Sequence, residues 1–216
     1  LISLENGSDV CENVLDVFRS GRYHSAQDLQ CLTRDGDILL YKAMDSELPE
    51  LMQNYKYLIA DAISDSLRYM RSAGYRYTIF VGSFQSDFRY YRIGYGHCMW
   101  LKKKMEVGGS YYFYDYCSTY FMSILPLKEL QVTYYTIERS LGDKFTDNFK
   151  EIMEALRQAN FNLNDASKLL HVHKNTLVYR LDKIRMALNV DPIGNNNDRE
   201  FVNGFYNYLK RKELLY

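Results

Sequence analysis

The chain has no apolar run long enough to cross a bilayer and no secretory-leader pattern, so a cytoplasmic protein without a membrane partner is expected. Its four cysteines, Cys11, Cys31, Cys98 and Cys117, include no CxxC pair. Such scattered thiols suit a reducing compartment, and neither a zinc nor a disulfide framework is expected. Net charge is also missing: 27 Lys and Arg balance 27 Asp and Glu, so charge by itself does not favour a nucleic-acid partner. There is no Ser-His-Asp or Cys-His set, no P-loop, no pair of catalytic carboxylates and no internal repeat. A non-enzymatic protein without cofactor or metal is the expectation. Tryptophan occurs once, whereas tyrosine occurs 21 times.

What is present divides the 216 residues in two. Residues 1–126 alternate strand and helix signals. Leu1 to Leu4 is a short apolar strand. Asp9 to Arg19 carries Val10, Val14, Val17 and Phe18 at helical spacing, with Ser8 or Asp9 as cap and Gly21 as stop. Asp28–Thr33 and Ile38–Lys42 flank Arg34-Asp35-Gly36-Asp37, a hairpin signal. A long helix follows from Glu47 to about Ser72, and Tyr77–Gly82 reads as a buried strand. Ser86 or Asp87 caps a helix to about Met105, Tyr111–Tyr114 is a strand, and Ser118–Leu125 a short helix. The order β-α-β-β-α-β-α-β-α predicts an α+β sandwich with a mostly antiparallel sheet, ferredoxin-like in its first six elements.

Residues 127–144 are less patterned and read as a linker. From 145 to 216 every signal is helical, an all-α domain. Thr146 caps a helix with Phe149, Ile152, Met153 and Leu156 inward; Asn162 or Asn164 caps the next. Asp198 caps the last, with Phe201, Phe205, Tyr208 and Leu209 on one face.

The stretch around Asn164 to Val190 carries the sharpest signal, a short helix, a tight turn and a longer helix: a helix-turn-helix. Leu177, Leu181, Ile184 and Leu188 form the buried stripe of the second helix. Ala166, Leu169, Leu170 and Val172 form the facing wall. Asn175, Tyr179, Asp182 and Met186 lie opposite that stripe. Asn175 and Tyr179 are therefore candidates for base edges, since asparagine pairs bidentately with adenine. His173, Lys174, Thr176, Arg180 and Lys183 are candidates for phosphate contacts, which set register without reading sequence. From Lys144 to Tyr216 twelve basic side chains face nine acidic ones. So mild an excess implies weak, salt-sensitive binding by one copy and favours a homodimer on two half-sites of double-stranded DNA. An amphipathic helix pair that never meets DNA is the plainer reading of the same pattern.

The run LHVHKNTLVYRLDKI resembles the C-terminal signature of the PucR/CdaR family of bacterial transcription regulators. Leu170, Val172, His173, Lys174, Asn175, Thr176, Leu177, Tyr179, Arg180, Leu181, Lys183 and Ile184 match it without a gap. The resemblance covers about Phe145 to Lys210 and accommodates His171, where a generic helix-turn-helix carries glycine. It implies a sequence-specific regulator, a sugar diacid regulator among its relatives. The small-molecule inducer would act through an N-terminal sensor that this stretch lacks, the chain being read as an N-terminally truncated fragment.

The same family often carries a degenerate GGDEF-like domain upstream, and the first half fits it by topology. The alternative function is then a nucleotide-binding or nucleotide-converting domain. Against it, Arg34 and Asp35 replace the two glycines that let backbone approach a phosphate, and Ser3 falls near the expected first-strand aspartate. Asp35, Asp37 and Glu5 could hold a cation, but a solvated turn is the plainer reading. His171 and His173 read as turn residues rather than a metal pair. Lys102-Lys103-Lys104 reads as a solvated helix end, and the tyrosine-rich run from Tyr111 to Phe121 as core or partner surface.

Overall fold

The computed structural model describes residues 1–5, 8–21, 24–44 and 48–213, the side chains of 8–10 and 48–52 excepted. The side chains of Ser8, Asp9 and Val10, on which the expected cap and inward valine depend, and the helix start at Glu47 lie outside what is described. The chain divides into two compact units, Leu1–Tyr120 and Phe121–Tyr216.

The first unit is mixed α+β. Strands β1 (Ile2–Leu4), β2 (Leu29–Leu32), β3 (Ile38–Tyr41), β4 (Tyr77–Val81) and β5 (Gly109–Tyr112) form one sheet in the order β2-β3-β1-β4-β5. The first four pair antiparallel, as in a split β-α-β arrangement, and β5 adds parallel to β4. Period-two alternation then sends side chains to two cores. Ile38 and Ile79 meet Val14 and Phe18 of α1 (Ser8–Ser20) and Met70 of α3 (Ser64–Ser72). Leu39 and Phe80 face the other way, toward Cys98 and Leu101 of α4 (Tyr91–Lys104) and Phe113 of α5 (Phe113–Ile124).

Several boundaries differ from the sequence reading. The long helix is two, α2 (Leu48–Ala62) and α3, meeting at Ile63 (φ −109°, ψ 8°), whose side chain is drawn into the core. A 3-10 turn, Phe88–Tyr90, capped by Asp87, precedes α4. Strand β5 starts two residues early because Gly108 and Gly109 take positive φ (100° and 88°). The Gly108 amide donates to the Thr78 hydroxyl at 2.7 Å, which fixes that entry beside β4. The chain turns helical at Phe113, which is buried against His97 with ring centroids 3.7 Å apart. Gly82 sits where an added Cβ would lie 2.4 Å from the Gly94 carbonyl oxygen, so only glycine lets β4 approach α4 this closely.

In the second unit the stretch read as a linker is helix α6 (Leu127–Leu141), with Leu130 and Tyr134 buried in the helical core. Helix α7 (Asp143–Gln158) starts after Gly142 rather than at Thr146, whose buried hydroxyl donates to the Asp143 carbonyl within the first turn. Phe149, Ile152, Met153 and Leu156 are fully buried, as the spacing predicts. Helix α8 (Leu163–Leu169) is capped by Asn162. Helices α9 (Lys174–Leu188) and α10 (Asn196–Glu213) complete the unit. Asn195, not Asp198, caps α10 by accepting from the amides of Asn197 and Asp198; the Asp198 carboxylate instead accepts from the Asp191 amide. Phe205, Tyr208 and Leu209 are buried and Phe201 packs beside them.

Candidate nucleic-acid interface

Helices α8 and α9 are joined by the turn Leu170-His171-Val172-His173, and its geometry comes from local hydrogen bonding. The Val172 amide donates to the Ser167 carbonyl at 3.0 Å and the His171 amide to that of Lys168 at 3.1 Å. This pattern requires a left-handed residue after the helix, and His171 adopts φ 53° there. His173 follows in extended conformation and caps α9: its Nδ1 accepts from the Asn175 amide at 3.2 Å. The exit of α9 repeats the device with Asn189 at φ 52° and the Val190 amide on the Arg185 carbonyl.

Burial fixes which face of α9 remains outside. Leu177, Leu181 and Ile184 are fully buried with Ala166, and Leu170, Val172 and Leu188 pack against them. Leu169 departs from expectation at 47% exposed. It follows Ala166 by three residues on a helix whose inward pair is Ala166 and Leu170, so it falls on the flank.

The exposed face carries the residues expected to meet DNA, but not all of them are free. Asn175 and Tyr179 stand one turn apart on that face, Tyr179 being 61% exposed. Lys183 places its ammonium 4.5 Å from the centre of the Tyr179 ring, a cation–π contact linking a candidate phosphate contact to a candidate base contact. Lys174 and Thr176 are exposed, and among the described residues Lys174 has no acidic partner. The other two basic residues of α9 are held. Arg180 Nη1 lies 3.2 Å from Glu151 Oε2 on α7, a pairing the sequence reading missed. Arg185 lies 3.0 Å from Asp182 and 2.7 Å from Asp191, so it neutralises the acid that stands opposite the buried stripe. The bond from Arg185 holds the Asp191 carboxyl below the usual carboxylate range. Met186, further along, is 85% exposed.

In the first unit one acid of the turn, Asp37, is not solvated as the sequence reading expected. Asp37 is 2% exposed, and Lys102 of α4 donates to both its carboxylate oxygens at 2.6 and 2.8 Å. Lys102 is thus the half-buried partner of a buried acid rather than part of a solvated lysine run. Asp35 is exposed, Glu5 pairs with Arg76 at 3.7 Å, and no group of three or more metal-ligating side chains occurs among the described residues. A cleft of about 450 Å³ opens near the ends of β3 and β4. Lys42 is the one cationic side chain in its lining among the described residues, and it is committed to the buried Asp28 carboxylate at 3.0 Å. Among the described residues the cleft therefore offers a nucleotide phosphate no free cationic side chain. Of the tyrosine-rich run, Tyr114 and Tyr120 pack on Phe113 and Tyr111 and Tyr116 against the same core, whereas Phe121 is 56% exposed.

Residues 150–199 match the PucR C-terminal helix-turn-helix domain, from within α7 to the start of α10. Over 75 residues the chain is 33% identical to the DNA-binding transcriptional activator AdeR of Bacillus subtilis (strain 168). That alignment covers 33% of this chain and 18% of the relative. No solved structure matches the chain. Among the described residues no helix is long and apolar enough to cross a membrane.

Proposed function

We propose that the chain is the DNA-binding portion of a cytoplasmic transcription regulator of the PucR/CdaR type, sequence-specific and non-enzymatic. One observation carries this reading. The twelve-residue signature is seated on a helix-turn-helix whose apolar members are buried and whose exposed face presents Asn175, Tyr179, Lys174 and Lys183 together. In this reading Asn175 and Tyr179 meet base edges in the major groove. Lys174, Thr176, Arg180 and Lys183 contact phosphates, and His173 contributes from the cap position.

The α+β unit serves as a degenerate GGDEF-like module for dimerisation or signal relay, and a small-molecule inducer acts through a sensor outside this chain. Pairing follows from the charge. Among the described residues two unpaired cations per copy on the reading face, Lys174 and Lys183, give a salt slope of about −2, too shallow for tight binding by one copy. Two copies on half-sites about 34 Å apart would double it.

Selecting duplexes from a random pool and titrating the winner against scrambled DNA tests the reading. A palindromic winner, bound at least tenfold more tightly than scrambled sequence with a stoichiometry of two, is expected. Absence of binding to any duplex at low salt overturns it.

A further inference from the structure

We propose that Glu151 competes with DNA phosphate for Arg180 and thereby limits the affinity and salt dependence of DNA binding. The inference rests on the DNA-binding reading above. Its starting point is the ion pair between α7 and α9, Arg180 Nη1 to Glu151 Oε2 at 3.2 Å. The two side chains retain 32% and 55% of their exposure, so solvent and a docking phosphate can reach both.

Glu151 has no place in the core. Its neighbours Ile152 and Met153 are fully buried, and it projects from the outer side of α7. The next acid along, Glu154, is engaged by Tyr206 and Lys210 of α10. Glu151 is thus the α7 carboxylate that meets the recognition helix.

The chemistry makes the competition direct. Carboxylate and phosphate both take the donor fork of a guanidinium. If Arg180 turns to a phosphate, Glu151 is left as an uncompensated anion beside a polyanion and must recruit a cation. The counterion released from the phosphate is then matched by one taken up at Glu151, so the contact adds almost nothing to the salt slope. Without the carboxylate, the same contact releases its full share, about 0.9 of a counterion. Arg185 is already committed to Asp182 and Asp191, so the Glu151 pair leaves Lys174 and Lys183 as the readily available cations of α9.

The test is Glu151→Gln in the whole chain, with binding measured on selected and scrambled duplexes across a salt series. The variant should bind both DNAs about fivefold more tightly at low salt, with the log–log salt slope steeper by about one. The effect should vanish in the Arg180→Ala background, which separates competition for Arg180 from general repulsion. Unchanged or weaker binding by Glu151→Gln would mean the carboxylate merely orients Arg180, and overturns the inference. So does an effect that persists without Arg180. Failure of the unsubstituted chain to bind any duplex overturns the DNA-binding reading as well, a result distinct from the other two.

Discussion

Lys102 of α4 closes its ammonium over both carboxylate oxygens of Asp37, at 2.6 and 2.8 Å, and Asp37 is the last residue of the β2–β3 turn. The Asp37 side chain is 3% exposed while Lys102 keeps 30%, so the acid depends on this cation for its compensation. The turn beneath is held by the Asp37 amide on the Thr33 hydroxyl and by the Cys11 thiol on the Gly36 carbonyl. A lysine thus supplies the positive charge beside Asp37.

Lys102→Met should strand a buried carboxylate and lower the stability of the first unit by about 3 kcal/mol. Adding Asp37→Asn should recover part of that loss, because the amide carries no charge. Denaturant melts of the single and double variants check this; equal stability of Lys102→Met and the parent would show that the pair is not a structural tie.

Base and phosphate contacts should separate by substitution. Asn175→Ala is expected to cost about 1–3 kcal/mol on the selected duplex and little on scrambled DNA. Lys174→Ala should weaken both alike and reduce the salt slope by about 0.9. Equal losses on both duplexes for Asn175→Ala would remove it from the base-reading role.

His171 pays a conformational cost for its place in the turn, since φ 53° brings Cβ close to backbone in an L residue. His171→Gly relieves that strain but gives the unfolded chain more freedom. The turn geometry favours the first effect, and a net gain of about 0.5–1 kcal/mol is expected for the helical unit. A fall in its melting temperature would show that the histidine ring makes a compensating contact.

His97 should give the first unit a pH dependence. Burial lowers its pKa; its Nδ1 is 2.8 Å from the Ser83 hydroxyl, and its ring stacks on Phe113. With the folded pKa depressed, the unfolded chain binds the proton first as pH falls. The contribution is complete above the ordinary imidazole value, about 6.5, and is lost as pH drops through the lower folded value. Asp28 acts in a more acidic window. Burial pushes its carboxyl up, but bonds from the Ser25 and Ala43 amides and Lys42 more than offset this and leave it below the usual range. Comparing stability at about pH 7 and about pH 5 therefore stays above the Asp28 window, and His97→Phe should flatten the difference. An unchanged difference in that variant would assign the dependence to other groups.

Local chemistry made the helix-turn-helix readable. The buried Leu177, Leu181 and Ile184 recur at helical spacing, and Asn162 has the side chain that a helix start requires. The same held for the β2–β3 hairpin, where Gly36 takes the positive φ its turn demands. Helix α6 was legible in principle, because Leu127, Leu130, Tyr134, Ile137 and Leu141 recur at three- and four-residue steps. The β-rich run Val132-Thr133-Tyr134-Tyr135-Thr136-Ile137 obscured that spacing, and packing against the helical core overrode its local preference.

Sequence alone determined the apolar periodicity, the turn chemistry and the signature from Leu170 to Ile184, since each depends on residues within a few positions of one another. Tertiary structure decided which charges are available. Arg180 with Glu151, Asp37 with Lys102 and Asp28 with Lys42 are 29, 65 and 14 residues apart, and no local pattern announces such pairs. The electrostatics of both units is set by chain segments that meet only when the cores form.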